Sequence, residues 1–463
     1  MTGHDHLDVV IVGARCAGAA LAQRLAAAGR TVALVDSAPL PSGQAMSTHL
    51  IQPPGMDELD ELGIGAPVRE LSPPLRTVRL EFDGREMVLP YGVGRPAHCL
   101  RRTELDVLLQ DAAVEAGASL HPETRVVGLL RGSKGHVCGV EVQARGAGAC
   151  HLHANLVVGA DGRNSSVAKL VGAEEYLGYD GPRGCYWAYW NRPPDWNAHA
   201  VYNSFAGDAS RVVFPTDGDL LLIATAPPID QARAWRADHK AAYLADIRSH
   251  APIASFLADD DPVSEVRGVT KSRYFFRASA GNGWALLGDA GHHKEFIIGL
   301  GISDALRDAR SLAAAILDVR PAALEHYWRT RDVERMALFH WSRDLGAADA
   351  VDPLERLMAE RAPADPALLL RLGAILDGRL SPYSLVPPTR AIRWVAGEAL
   401  RGRTGAIGPL LRTARRMAQA RRELNRRQRV ANQTGAGLEF HDAPRRGVAR
   451  DGRRPSSDAA LQL

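Results

Sequence analysis

The chain has 463 residues, 46% of them apolar and 24% charged, an ordinary globular composition with room for two or three domains. No stretch approaches the roughly 18 consecutive apolar residues of a membrane span, and polar MTGHDH leads straight into the first apolar run, so neither a span nor a secretory leader is expected and the expected location is cytoplasmic. Cys16, Cys99, Cys138, Cys150 and Cys185 form no C-x-x-C pair, which argues against a disulfide framework, a zinc site or a dithiol redox centre. The formal charge of +3 conceals an asymmetry, because only five lysines occur and much of the arginine lies beyond residue 400.

Residues 7–36 read as strand, turn, helix and strand. Val9, Val10, Ile11 and Val12 form a short apolar run that stops at Gly13, as a buried parallel strand does. Ala17, Ala20, Leu21, Arg24 and Leu25 then follow helical spacing, Gly29 supplies the stop, and residues 31–35 make a second strand. Gly13 and Gly18 occupy the first and third positions of the dinucleotide fingerprint, with Cys16 and Ala17 between them in the turn, and Asp36 ends the second strand where an acid grips a ribose hydroxyl. Arg15 replaces the middle glycine, and the turn alone does not distinguish FAD from NAD. Cys16 itself reads most simply as a small buried residue.

Further along, residues 37–54 form a Pro/Ser/Gly-rich connection, whose Ser47, Thr48 and His49 suit a surface turn or, as the sharper alternative, a cofactor contact. Residues 57–62 predict a short helix, and residues 77–91 alternate about Asp83-Gly84, predicting a hairpin. Arg101 and Arg102 stand at the start of a helix whose Leu105, Leu108, Leu109 and Ala112 share one face. Two cations there oppose the helix dipole, so Arg102 is a candidate for a pyrophosphate contact. Strands are predicted around residues 125–130 and 137–143. A buried strand ends at Asp161-Gly162, with Ser165 and Ser166 placed to cap the helix beyond. Residues 186–273 read as antiparallel, with a hairpin about Thr216-Asp217-Gly218; the stripe Tyr186, Trp187, Tyr189 and Trp190 fits a sheet face better than a pocket. A last buried strand ends at Gly288-Asp289, and Gly299-Leu300-Gly301-Ile302 opens a helix whose free amides suit an anion or an electron-rich ring.

Gly13, Gly18, Asp36, Arg102, Asp161-Gly162 and Gly288-Asp289, in this order, resemble the FAD-dependent oxidoreductases of the para-hydroxybenzoate hydroxylase and geranylgeranyl reductase type, over roughly residues 7–346. The resemblance implies an α/β protein: a Rossmann-like, three-layer FAD domain with a parallel sheet, an inserted antiparallel substrate sheet and a C-terminal helical extension. It implies FAD segments at 1–76, 101–180 and 276–346, a substrate sheet at 77–100 and 181–275, an extension at 347–433, and a disordered tail at 434–463. Asp36 would take the adenosine ribose, Arg102 the pyrophosphate, and Asp289 the ribityl chain or pyrophosphate. Asp161 and Gly162 would serve both FAD and the nicotinamide reductant, while Gly299, Gly301 and Ile302 would lie beside the flavin ring. The proline that the family carries seven positions after its Gly-Asp aspartate is Phe296 here, preceded by Glu295.

The resemblance further implies FAD as cofactor, NAD(P)H as co-substrate, and a monooxygenase that uses molecular oxygen, through a flavin hydroperoxide, to hydroxylate an aromatic or polycyclic small molecule. His292 and His293 are candidate proton carriers, more simply structural, and Phe296 is a candidate for stacking near the flavin. Two alternatives remain: a reductase of the geranylgeranyl type acting on an alkene, which Gly299-Leu300-Gly301-Ile302 favours, and a flavin-binding scaffold working through its tail. Halogenation is disfavoured, since the first 133 residues hold no lysine and residues 187–193 miss the W-x-W-x-I-P signature. In the tail, helices are predicted at 354–361, 366–376 and 409–430. The last has an apolar stripe, with Leu411 and Leu424 among its members, opposed by arginines; it reads as a cap on the domain, or as a membrane-surface contact, and no nucleic-acid partner is expected.

Overall fold

The computed structural model describes residues 6–348 apart from 42, 44–46, 92–93, 258–260, 319 and 321, residues 353–385 apart from 377, and scattered positions from 390 to 429. The first apolar run is the strand Leu7–Val12, at the middle of a parallel sheet in the order Trp284–Leu286, Ala149–Gly159, Leu7–Val12, Val32–Val35, Ser119–His121. Its run is continuously apolar because both faces of the sheet are covered. Helices Cys16–Ala27, Arg102–Glu115 and Gly301–Leu317 pack their apolar stripes on one face around Ile11, Leu21, Leu34, Leu109 and Leu306. The other face carries an antiparallel ribbon, Thr124–Arg131 and Val137–Ala144, joined to the first half of Ala149–Gly159. One eleven-residue strand thus belongs to two sheets.

The second large sheet has seven strands. Thr77–Phe82 and Arg85–Pro90 form the predicted hairpin, with Asp83 and Gly84 at φ +48° and +80°, the left-handed pair that a tight two-residue turn demands. Ala209–Thr216 and Leu220–Ala226 form the second hairpin. Two features depart from the expected purely antiparallel insertion. Ala200–Ala206 pairs in parallel with Thr77–Phe82, which stitches two distant stretches of chain into one sheet. Residues 229–257 are helical, as Ile229–Ala234, His239–Ser249 and Ala251–Leu257, because Tyr186, Ala188 and Trp190 present a face that Tyr243, Ile247, Ile253 and Leu257 cover. The aromatic stripe is accordingly a sheet strand, Cys185–Asn191, buried on both sides.

The opposite face of this sheet is covered by the C-terminal extension. Helices Pro353–Arg361 and Pro366–Leu376 set Leu357, Met358, Leu368, Leu372 and Ile375 against Phe82, Met87, Leu89, Phe205 and Phe214. The predicted helix at 57–62 starts earlier, as Pro53–Glu61, since Pro53 and Pro54 suit a first turn that needs no amide hydrogens. Of the predicted helix at 409–430, only positions 411, 415, 418, 419, 421–427 and 429 are described. Within it Leu424 packs against the body and Arg427 lies over the Tyr176 ring, as expected of a cap. Leu410, Arg412, Ala414, Arg416, Met417 and the tail from 434 lie outside the described residues. Among the described residues no helix is long and apolar enough to cross a membrane.

Candidate flavin site

The carboxyl ends of the parallel strands open on a cavity of about 890 Å³, and Gly13, Cys16, Ala17, Asp36, Arg102, Asp161, Gly162, Gly288, Asp289, His292, His293, Phe296, Gly299, Gly301 and Ile302 all line it. Gly18 does not; it lies beneath, where a Cβ would stand 1.8 Å from the carbonyl oxygen of Gly13. Gly13, at φ +107°, lies close against Ala160, where a Cβ would stand 2.4 Å from that residue's oxygen. The two glycines therefore bring strand, turn and helix close enough for the N-terminus of Cys16–Ala27 to face the cavity. Arg15 at the middle position has an extended backbone (φ −93°, ψ −168°) and itself lines the cavity, so the missing glycine does not distort the turn.

Asp36 spans the turn. Its two carboxylate oxygens accept hydrogen bonds from the Ala14 amide at 2.8 Å and the Ala38 amide at 2.9 Å, and each keeps a lone pair for a further donor. Arg102 is held by Asp106, with Nη2 to Oδ1 at 2.8 Å and to Oδ2 at 3.0 Å; the same carboxylate accepts from the Cys16 thiol at 3.3 Å. Burial pushes that thiol's pKa up, so Cys16 stays protonated. Asp161 accepts from both the amide and the hydroxyl of Ser166, each at 2.6 Å, and Ser165 caps the helix Ser166–Val171, yet Asp161 Oδ1 is buried without a partner. Asp289 is about half exposed to the cavity, 3.9 Å from Nε2 of His293.

The residues that follow rest on a buried ionic cluster, a feature that no local sequence pattern signals. Lys294 pairs with Asp304 and contacts Nε2 of His292 at 3.2 Å, while Nδ1 of His292 lies 3.4 Å from Asp308. Burial, then the charge of Lys294, holds His292 well below its ordinary pKa, which favours the neutral imidazole. Nδ1 of His293 donates a hydrogen bond to the Arg273 carbonyl oxygen, 2.8 Å away. Ser47 and Thr48 line the cavity, and His49 is fully buried at φ +59° with its ring stacked on Tyr189; the surface-turn expectation for this trio is therefore wrong. It fails because the short pairing of Leu50–Ile51 with His98–Cys99, invisible to a local reading, draws the connection inward. Burial and the nearby Arg102 and Arg101 lower the His49 pKa to about 3.

A second cavity, of about 100 Å³ and mainly apolar, lies between the large sheet and the C-terminal extension. Thr48, Leu50, Cys185, Ala224, Phe296 and Gly299 line both cavities and make their common wall. A Cβ on Gly301 would meet nothing within 4 Å, so the start of helix Gly301–Leu317 is open to the larger cavity. That open helix start, the orphaned Asp161 oxygen and the glycine-tight turn fit a bound FAD.

Comparison with known proteins agrees. The model of the FAD binding domain family matches residues 6–338. Menaquinone reductase of Mycolicibacterium smegmatis is 34% identical over 170 residues, 36% of this chain and 40% of that protein. The 6-methylpretetramide 4-monooxygenase of Streptomyces rimosus is 27% identical over 426 residues, 80% of this chain and 95% of its own length. Among solved structures, a triple mutant of a flavin-dependent brominase superposes with a TM-score of 0.68 at 16% identity, covering 86% of this chain and all of that one, a likeness of fold alone. Family model, fold and cavity chemistry together place this chain in the FAD binding domain family, as an FAD-dependent oxidoreductase of the para-hydroxybenzoate hydroxylase type.

Proposed function

We propose that this oxidoreductase is a monooxygenase that hydroxylates an aromatic or polycyclic small molecule, with NAD(P)H as reductant and molecular oxygen as co-substrate. The observation that carries the reading is the common wall of the two cavities, which sets an apolar chamber beside the glycine-rich helix start. The 27% identity over nearly the whole of a monooxygenase supports it. Segments 1–76, 101–180 and 276–346 would hold FAD, and segments 77–100 and 181–275, roofed by 347–433, would hold substrate.

In this reading Asp36 accepts from the adenosine ribose, the amides after Gly13 and the guanidinium of Arg102 take the pyrophosphate, Asp289 meets the ribityl chain or pyrophosphate, and Asp161 with Gly162 serves both FAD and the nicotinamide reductant. Amides at the start of helix Gly301–Leu317, beside Gly299 and Ile302, favour negative charge on the ring. Bound FAD supplies the redox chemistry, taking a hydride from NAD(P)H and activating oxygen. Phe82, Phe205, Phe214 and Phe296 exclude water and offer aromatic faces to a flat substrate, while Gln52, Asn203, Ser210 and Thr225 are among the polar groups available to orient it.

A saturating reductase is the second reading, favoured by the 34% identity to a menaquinone reductase over 170 residues and by the Gly299-Leu300-Gly301-Ile302 loop. Oxygen decides between them. FAD-loaded protein is reduced by NADH or NADPH and turned over with candidate polycyclic phenols under labelled oxygen. One labelled atom in the product is expected; a product gaining two hydrogens in the absence of oxygen would establish the reductase instead.

A further inference from the structure

The sheet wall of the apolar chamber carries an asparagine where its neighbours are apolar. Side chains alternate along a strand, so Val201, Asn203 and Phe205 of Ala200–Ala206 share the face that lines the chamber, while Tyr202 packs on the opposite face. Asn203 is only 8% exposed. Its Oδ1 accepts a long hydrogen bond, 3.4 Å, from the hydroxyl of Ser210, which shares the chamber face of its own strand with Val212 and Phe214. Its Nδ2 donates to no described residue. Val212 and Leu80 flank Asn203 across the sheet, so a water at Nδ2 would have little beyond the Ser210 hydroxyl to hold it. A buried amide donor that faces apolar side chains is costly unless an acceptor meets it.

Register places this donor with respect to the flavin cavity. Ala224, on the wall that both cavities share, stands opposite Val212, and Val212 stands opposite Asn203. Asn203 therefore lies two strand spacings, about 10 Å, from that wall. The chamber's volume of about 100 Å³ is close to that of a cavity that holds one benzene ring, so it receives an end of a molecule rather than a whole polycycle. Charge narrows the class further. Among the described residues that line the chamber none is Lys, Arg or His, and Glu355 contributes an acid, so a carboxylate or phosphate would enter without a counter-charge. A neutral acceptor needs none. The other side-chain amide of the lining, that of Gln52, is directed elsewhere, its Nε2 donating to the Ile298 carbonyl at 3.4 Å.

We propose that Asn203 is a specificity-determining residue, whose amide N–H holds the carbonyl oxygen of a ketone or quinone at the end of the substrate that the chamber receives. The inference deepens the reading of this chamber as the substrate site and rests on it. The Ser210 hydroxyl keeps Oδ1 turned aside, which leaves Nδ2 for the ligand. With the carbonyl oxygen at Nδ2, the part of the substrate that meets the flavin is the part turned to the shared wall, so oxidation falls at a position remote from that carbonyl rather than beside it.

The test is calorimetric titration of the FAD-loaded protein with acetophenone, ethylbenzene and benzoate, which share one ring and differ at one end. Wild type is expected to bind the first two and to give no measurable heat with benzoate. The quantity read is the ratio of the acetophenone and ethylbenzene dissociation constants, in which a general change in the chamber cancels. Asn203→Leu is expected to move that ratio roughly 10-fold toward ethylbenzene, the worth of one neutral hydrogen bond. Ser210→Ala frees Oδ1 to turn, so it is expected to move the ratio the same way by a smaller factor, and it decides the matter if Asn203→Leu does not fold. A ratio left unchanged by the variant that folds, benzoate bound as tightly as acetophenone, or a wild type that binds no acetophenone would each overturn the assignment. A chain that takes up no FAD would sink the flavin reading, while the same titrations of the FAD-free protein still decide what Asn203 recognises.

Discussion

Glycine at two positions of the first turn is a matter of space. A methyl on Gly18 would collide with the backbone oxygen of Gly13, which cannot swing away as a side chain could. Gly18→Ala is therefore expected to cost ~1–3 kcal/mol or more and to release FAD, seen as a lower Tm and a colourless protein after gel filtration. Glu295 offers a test of the opposite kind. Burial raises its folded pKa to about 7, above the ordinary 4.5, so its contribution to stability is fully present below pH 4.5 and is lost as the pH rises through 7. The difference amounts to roughly 3 kcal/mol. Glu295→Gln should flatten this part of the pH dependence of urea unfolding; an unchanged slope would show that the carboxyl is ionised throughout. The turn glycines and Asp36 are legible from spacing alone, because the fingerprint they form is contained within residues 13–36. The state of Glu295 is not, because its surroundings come from the separate strands Arg273–Arg277 and Glu175–Asp180 and from the end of a distant helix.

At the scale of elements, helix Gly301–Leu317 is held in place from below by charge as well as by its apolar stripe. Asp304 in its first turn is met by Lys294, by Arg307 at 3.4 Å and by Arg335 at 3.5 Å, all largely buried. Asp304→Asn leaves these cations without their counter-charge and is expected to cost ~3–5 kcal/mol, with weaker FAD binding measured by fluorescence titration because the helix start loses its seat. Apolar periodicity marked most of the strands and helices near their true limits, among them Pro366–Leu376 and the hairpin of Thr77–Phe82 with Arg85–Pro90. The helices between residues 229 and 257 were missed, since their buried positions, Tyr243, Ile247, Ile253 and Leu257, are too few and too widely spaced to make a continuous stripe.

At the scale of the whole molecule, the extension beyond the family's own segment completes the apolar chamber. Met358 and Leu372 line the apolar cavity together with Val78, Phe82 and Phe205 from the sheet. Met358→Ala is expected to destabilise the protein by ~2–5 kcal/mol and to raise the KM for substrate, while the affinity for FAD, read by the visible spectrum, stays the same. A matched loss of FAD would show that the two chambers are energetically one. By itself the sequence determined the parallel sheet, the cofactor turn and the acids at three strand ends. These follow from apolar runs and glycine spacing that act within a few tens of residues. Only the tertiary structure decided that residues 47–49 turn inward, that Ala200–Ala206 runs parallel to Thr77–Phe82, and that the extension roofs the apolar chamber. Each of these is a pairing between surfaces that are complementary only once folded, and such surfaces leave no periodic mark on either stretch of chain.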